Sequence, residues 1–140
     1  MGQRYKTIIM ELAERVPEVA AACRVERPLT YIIFEGELIR LLVALAQNPS
    51  KHWRLREILN WFEELIGDSD TDLRDLIGIS FCEWLMGNNK EYLQLFWPFM
   101  GENLRKCCRD DAANFHVSEE NQLLLQQPSK RRFVNVHKHK

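Results

Sequence analysis

The stretch DTDLRDLIGISFCEWLMG, residues 70–87, decides how this chain folds. Leu73, Leu76, Ile77, Phe81, Trp84 and Leu85 recur at intervals of three and four residues, which places them on one stripe of an amphipathic helix. Ser69, Asp70 or Thr71 can cap its N-terminus, and Asp72 and Asp75 suit the positive end of the helix dipole. Gly87 is expected to stop it in a left-handed conformation. A stripe this wide must be covered by neighbours, so this helix is expected to be the most buried element.

Working outward, residues 51–66 read as a helix capped by Ser50, with Trp53, Ile58, Leu59, Phe62, Leu65 and Ile66 inward and Gly67 at its end. The short turn at 68–70 makes it an antiparallel neighbour of the central helix. Upstream, TYIIF (31–34 with Thr30) alone would fit a strand. The continuation Leu38, Leu41, Leu42 and Leu45 is helical and no second strand is available, so 31–47 is expected to be one helix, bent near Gly36. Residues 3–15 form a first helix with Ile8, Ile9, Leu12 and Val16 inward, and Pro17 suits the first turn of a second, PEVAAAC. Downstream, Asn88 or Asn89 caps KEYLQLFWPF, Pro98 ends or kinks it, and a last helix runs over about 101–113. These elements predict an all-α single domain of about five to seven antiparallel-packed helices in a solenoid-like stack. The helical domain is expected over 1–113. Residues 114–140 read as a poorly ordered tail, basic at its end, with a short helical turn at NQLLLQ.

No run of about 18 apolar residues exists, so no transmembrane helix is expected. Glu11 and Glu14 interrupt any signal-peptide layout at the N-terminus. The four cysteines (Cys23, Cys82, Cys107 and Cys108) do not have the spacing of a zinc knuckle and read as reduced, partly buried thiols of a cytoplasmic protein. The formal net charge of −1 hides a split. The last eleven residues, KRRFVNVHKHK, hold five bases and no acid, leaving 14 bases against 20 acids in the body. So acidic a body would repel phosphates, which argues against nucleic-acid binding, through the tail or otherwise.

No nucleophile elbow, phosphate loop or zinc-protease motif is present, and His52, His116, His137 and His139 form no metal pattern with the cysteines. No catalytic residue, cofactor or metal is therefore expected. Glu35, Glu37 and Glu83 read first as rim carboxylates. An enzyme or small-ligand-binding protein would need them to line an acidic pocket between the helices 31–47 and 71–86. Trp53, Trp84 and Trp97 fall on or beside core stripes. Trp61 lies off the Ile58–Phe62–Leu65 stripe and is expected to be partly exposed, as suits an interface anchor. The most informative surface feature is acidic: Glu63, Glu64, Asp68, Asp70, Asp72 and Asp75 are opposed only by Arg74 across thirteen residues. Together with Trp61 they are the candidate partner-binding residues, either a solvated helix–helix turn or a docking patch for a basic protein.

The pieces VPEV (16–19), LTYIIFEGELIRLL (29–42), LIGISFCEWL (76–85) and WPFMGENLRK (97–106), in this order, resemble a family of small, all-helical, mostly bacterial proteins of unknown function. That family looks immunity-protein-like and occurs around polymorphic toxin systems. Where its members tend to carry an aliphatic pair before the acid of the central helix, this chain has Phe81-Cys82 before Glu83. The resemblance covers about residues 10–110 and leaves out the basic tail. It implies a binding role without enzymatic activity. Taken with the acidic body and the lack of a catalytic motif, the expectation is a cytoplasmic immunity protein that neutralises a toxin, with a basic toxin domain as partner, no membrane and no nucleic acid.

Overall fold

The computed structural model describes residues 2–87, 90–112 and 123–126. Every described element is helical, and TYIIF begins a helix rather than a strand. Helix α1 starts as a tight turn at Tyr5–Thr7 and runs through Ile8–Arg15; α2 is Pro17–Val19 followed by Ala20–Cys23. Helix α3 comprises Thr30–Ile33, a π-helical segment Phe34–Leu38 and Ile39–Ala46. Helix α4 is Pro49–Lys51 followed by His52–Ile66. Helix α5 comprises Thr71–Ile77, a second π-helical segment Gly78–Glu83 and Trp84–Gly87. Helix α6 consists of the short pieces Lys90–Tyr92, Leu93–Phe96 and Trp97–Phe99, and α7 is Glu102–Ala112.

The stripe read from the sequence of α5 is the inner face. Leu73, Leu76, Ile77, Phe81 and Leu85 expose no surface, and Trp84 is half-buried against Tyr92, with the two ring planes within 12°. Helix α4 touches α3, α5 and α7. Its Phe62 joins the layers, with ring centroids 6.3 Å from Phe34 of α3 and 5.5 Å from Phe81 of α5. That aromatic row closes the space between α3 and α5 with apolar side chains, and the two π-helical segments meet there. π-helical turns widen a helix locally and re-aim its side chains. The expected bend near Gly36 is the first of them.

Several local expectations are corrected. Asn48, not Ser50, caps α4: its carboxamide oxygen accepts from the Ser50 N–H at 3.3 Å and from the Ser50 hydroxyl at 2.9 Å. Gly87 stays helical, and no described glycine has a positive φ. Gly67 ends α4 with φ −89°. Trp53 is 57 % exposed while Trp61 is 3 % exposed, the reverse of the expected arrangement. The reason is that α1 covers the flank of α4 that carries Trp61, so α4 is buried over a wider arc than its own periodicity indicates.

Asn88 and Asn89 as caps, and most of the expected tail, lie outside the described residues. Within it, Leu123–Leu125 form a helical turn in which Leu125 is buried, and Arg109 of α7 donates to the Leu125 carbonyl at 2.5 Å.

Candidate functional site

The acidic turn between α4 and α5 is organised by the N-terminal residues. Arg4 donates to Glu11 (2.6 and 3.1 Å), Glu64 (2.9 Å) and Asp68 (2.9 Å). Asp70 caps α5 by accepting from the Asp72 N–H at 2.9 Å, and its other oxygen accepts from the Tyr5 N–H at 2.9 Å. The Gly2 N–H donates to Asp72 at 2.7 Å. Glu63 turns the other way: it accepts from the N–H groups of Asn103 and Leu104, at 2.7 and 2.9 Å, at the start of α7. A carboxylate there satisfies two amides that the helix itself leaves unpaired and complements its dipole.

These contacts set the titration of the cluster. Arg4 holds the Glu11 carboxyl below its usual value, outweighing the opposing effect of burial, with the Trp61 indole assisting. Asp68 is lowered first by the Asp70 N–H and then by Arg4. Arg4 is itself raised by its carboxylates.

Of the seven candidate partner-binding residues, Glu63, Glu64, Asp68, Asp70 and Asp72 thus have partners within the fold. Trp61 is buried with its indole N–H donating to Glu11 at 2.7 Å, so the expectation of a partly exposed anchor is corrected. Asp75 remains exposed one turn further along α5 and makes no ion pair with a described residue. Along the chain only Arg74 stands among these acids; Arg4 reaches them through the fold.

Asp75 borders a groove of about 550 Å³ between α5 and α7. Glu83, Asp110 and Asp111 also line it, with Arg74 and Lys106 as its cations and exposed Ile79 on its wall. Lys106 pairs with Asp110 at 3.1 Å. Glu35 and Glu37 are exposed elsewhere on α3, and Glu37 pairs with Arg40. The acidic pocket that the alternative reading needs between 31–47 and 71–86 is not formed by the described residues: apolar packing fills that space, and Glu83 faces the α7 side without the other two acids.

The wall of this groove holds a cluster that the sequence spacing did not reveal. Cys82 is fully buried on the second π-helical segment, and Cys107 and Asp111 project from α7 one turn apart. Their sulfur and carboxylate atoms all lie within 4.8 Å of one another. The Cys82 thiol is held well above its usual range by hydrogen bonds to Cys107 and Cys108 and by burial. The same bond from Cys82 lowers Cys107. Burial pushes the Asp111 carboxyl up to about 6, with repulsion from Glu83 and Asp110 adding to it. The signal available in the sequence was the i, i+4 pair Cys107 and Asp111 on one helical face; nothing in it could place Cys82 opposite.

Elsewhere on α7, Arg105 is almost wholly buried, with its guanidinium 4.6 Å from the Trp97 ring and donating to the Trp97 carbonyl at 2.7 Å. Burial lowers its pKa, yet the contacts bind α6 to α7.

The chain is thus an all-α domain whose polar chemistry gathers at the α4–α5 turn and the α5–α7 groove. It belongs to the family described as a domain of unknown function (DUF7674), whose model matches residues 9–116. No curated protein and no solved structure matches the chain. The matched range takes in all of α2–α7 and leaves out Arg4 and the basic tail. No helix among the described residues is long and apolar enough to cross a membrane.

Proposed function

We propose that this chain is a non-enzymatic protein-binding module, a cytoplasmic immunity protein that neutralises a basic toxin domain by direct binding. The observation that supports this most is the groove between α5 and α7. Its acids Asp75, Glu83, Asp110 and Asp111 outnumber its cations Arg74 and Lys106, and Ile79 adds an exposed apolar contact. An acidic face with an apolar element favours a basic protein, because charge complementarity speeds encounter while desolvated apolar contact slows dissociation. The resemblance of VPEV, LTYIIFEGELIRLL, LIGISFCEWL and WPFMGENLRK to immunity-like proteins supports the same reading.

In this proposal the partner meets the groove, and the carboxylates of the α4–α5 turn act mainly to hold the N-terminal residues and α7. Co-expression with a basic toxin domain, sought among the products of the neighbouring genes, tests it. Protection from killing, lost on Asp75→Lys with Glu83→Lys in a folded variant, is the expected result; killing at an unchanged rate with the wild-type chain present overturns the proposal.

The groove's volume also favours a second reading, a protein binding a small cationic ligand, since pockets of about 300–1,000 Å³ suit small molecules. Its acids would be Glu83, Asp110 and Asp111 rather than Glu35 and Glu37. Protection of cells by the chain without any added ligand would argue against it.

A further inference from the structure

We propose that Cys82, Cys107 and Asp111 form a binding site for a thiophilic divalent cation, with zinc as the ion of choice, at the junction of α5 and α7. This inference stands independently of the toxin-binding proposal.

Three observations carry it. The donor atoms are already gathered, all within 4.8 Å of one another. A tetrahedral zinc with Zn–S bonds near 2.3 Å needs sulfurs roughly 3.8 Å apart, so side-chain rotations of the order of 1 Å close the set. Second, Asp111 Oδ2 is buried and has no hydrogen-bond partner among the described residues. A buried carboxylate oxygen without a partner is costly, and a cation is the partner that removes the cost. Third, among the described residues no cation forms an ion pair with Asp111: the cluster adjoins the carboxylates of Glu83 and Asp110, and the ammonium of Lys106 is paired to Asp110 at 3.1 Å.

The donor set selects the ion. Two thiolates and one carboxylate suit zinc, whereas magnesium and calcium prefer all-oxygen shells. Cys107 and Asp111 line the groove, which leaves the fourth position to water or to Glu83. Binding deprotonates both thiols, so each ion taken up releases two protons and the site keeps a net charge of −1, now made of two thiolates, one carboxylate and the dication. The ion would join the π-helical segment of α5 to α7. Because metal binds the folded site only, it would also stabilise the fold.

The test uses the full-length chain, reduced and free of metal, titrated with cobalt(II) and then with zinc. The expected result is a thiolate-to-cobalt charge-transfer band that saturates at one equivalent and is displaced by zinc. Cys107→Ser, at a half-buried position and therefore tolerated by the fold, should cut the band to about half per bound ion. Asp111→Asn should keep both sulfurs and weaken the affinity by roughly tenfold or more, as lost coordination or its support does. His137→Ala with His139→Ala should leave the band unchanged. Absence of a charge-transfer band in the wild-type chain overturns the proposal. So does a band of full intensity in Cys107→Ser, or binding abolished by the double histidine substitution, which would assign the metal to the tail.

Discussion

Trp61 and Glu11 are fifty residues apart in sequence, and the indole N–H of one donates to the carboxylate of the other at 2.7 Å. Arg4 donates to both oxygens of the same carboxylate, sharing Oε2 with the indole. Helix α1 is thereby fixed on α4 by a charge-assisted bond at the edge of the aromatic row formed by Phe34, Phe62 and Phe81.

Trp61 should therefore govern stability. Trp61→Ala removes a buried ring and leaves Glu11 without its indole partner, and should cost about 3–5 kcal/mol. Trp61→Phe keeps most of the packing and should cost about 1–3 kcal/mol, chiefly the lost bond to the charged carboxylate. Urea unfolding followed by fluorescence of the remaining tryptophans separates the two. Equal losses would show that the hydrogen bond contributes little.

The Arg4 cluster should give the fold an acid-labile component. Glu11 has its carboxyl lowered by Arg4 from the ordinary value of 4.5. A carboxyl depressed on folding contributes stability that is fully present above its unfolded value and is lost as pH falls through its folded one. The stability difference between wild type and Arg4→Met should therefore be largest near neutrality and shrink below about pH 4.5, the unfolded value. Urea midpoints at a series of pH values measure it; a difference that persists undiminished at pH 2 would remove Glu11 from the explanation.

Gly101 lies in close approach to the Glu63 side chain. A Cβ there would stand 2.5 Å from the Glu63 carboxyl carbon. Gly101→Ala should push Glu63 off the start of α7, and Glu63→Ala should remove the same cap, each costing about 1–2 kcal/mol. The double variant should lose clearly less than the two single losses added, because both act through one interaction. Strict additivity in a double-mutant cycle would count against it.

Gly36 has the opposite character. A Cβ at this position meets nothing within 4 Å, and the backbone does not need a positive φ. Gly36→Ala should stabilise the chain by about 0.5–1 kcal/mol through the smaller entropy of its unfolded state. A loss on thermal unfolding would mean that the π-helical segment itself depends on glycine.

Association with a basic partner should separate the two acidic regions. Asp75→Asn with Glu83→Gln should slow association severalfold at low salt and flatten its salt dependence, with little effect on stability. Asp70→Asn with Asp72→Asn should instead lower the unfolding midpoint, since these carboxylates hold the Tyr5 and Gly2 amides. Stopped-flow kinetics and urea unfolding of both variants distinguish the outcomes; the reverse pattern would return the docking surface to the α4–α5 turn.

The helices are legible in the sequence. The periodicity of Leu73, Leu76, Ile77, Phe81 and Leu85 named the buried face of α5, and the run from Leu38 to Leu45 decided a helix where TYIIF alone fitted a strand. Asp70 was among the caps it offered. These are legible because helix formation depends on neighbours within four residues. The tertiary structure decided what depends on which distant segment arrives. Trp61 is buried and Trp53 exposed because α1 covers one flank of α4, a fact absent from the α4 periodicity. The acids of the α4–α5 turn are held by Arg4 and by the amides of Gly2, Tyr5, Asn103 and Leu104, which lie up to seventy residues away. The approach of α5 to α7 placed Cys82 beside Cys107 and Asp111, where spacing along the chain had offered no ligand pattern. Hydrogen bonds and packing act within a few ångströms and ignore sequence separation, so the chain states its helices locally and only their assembly creates its sites.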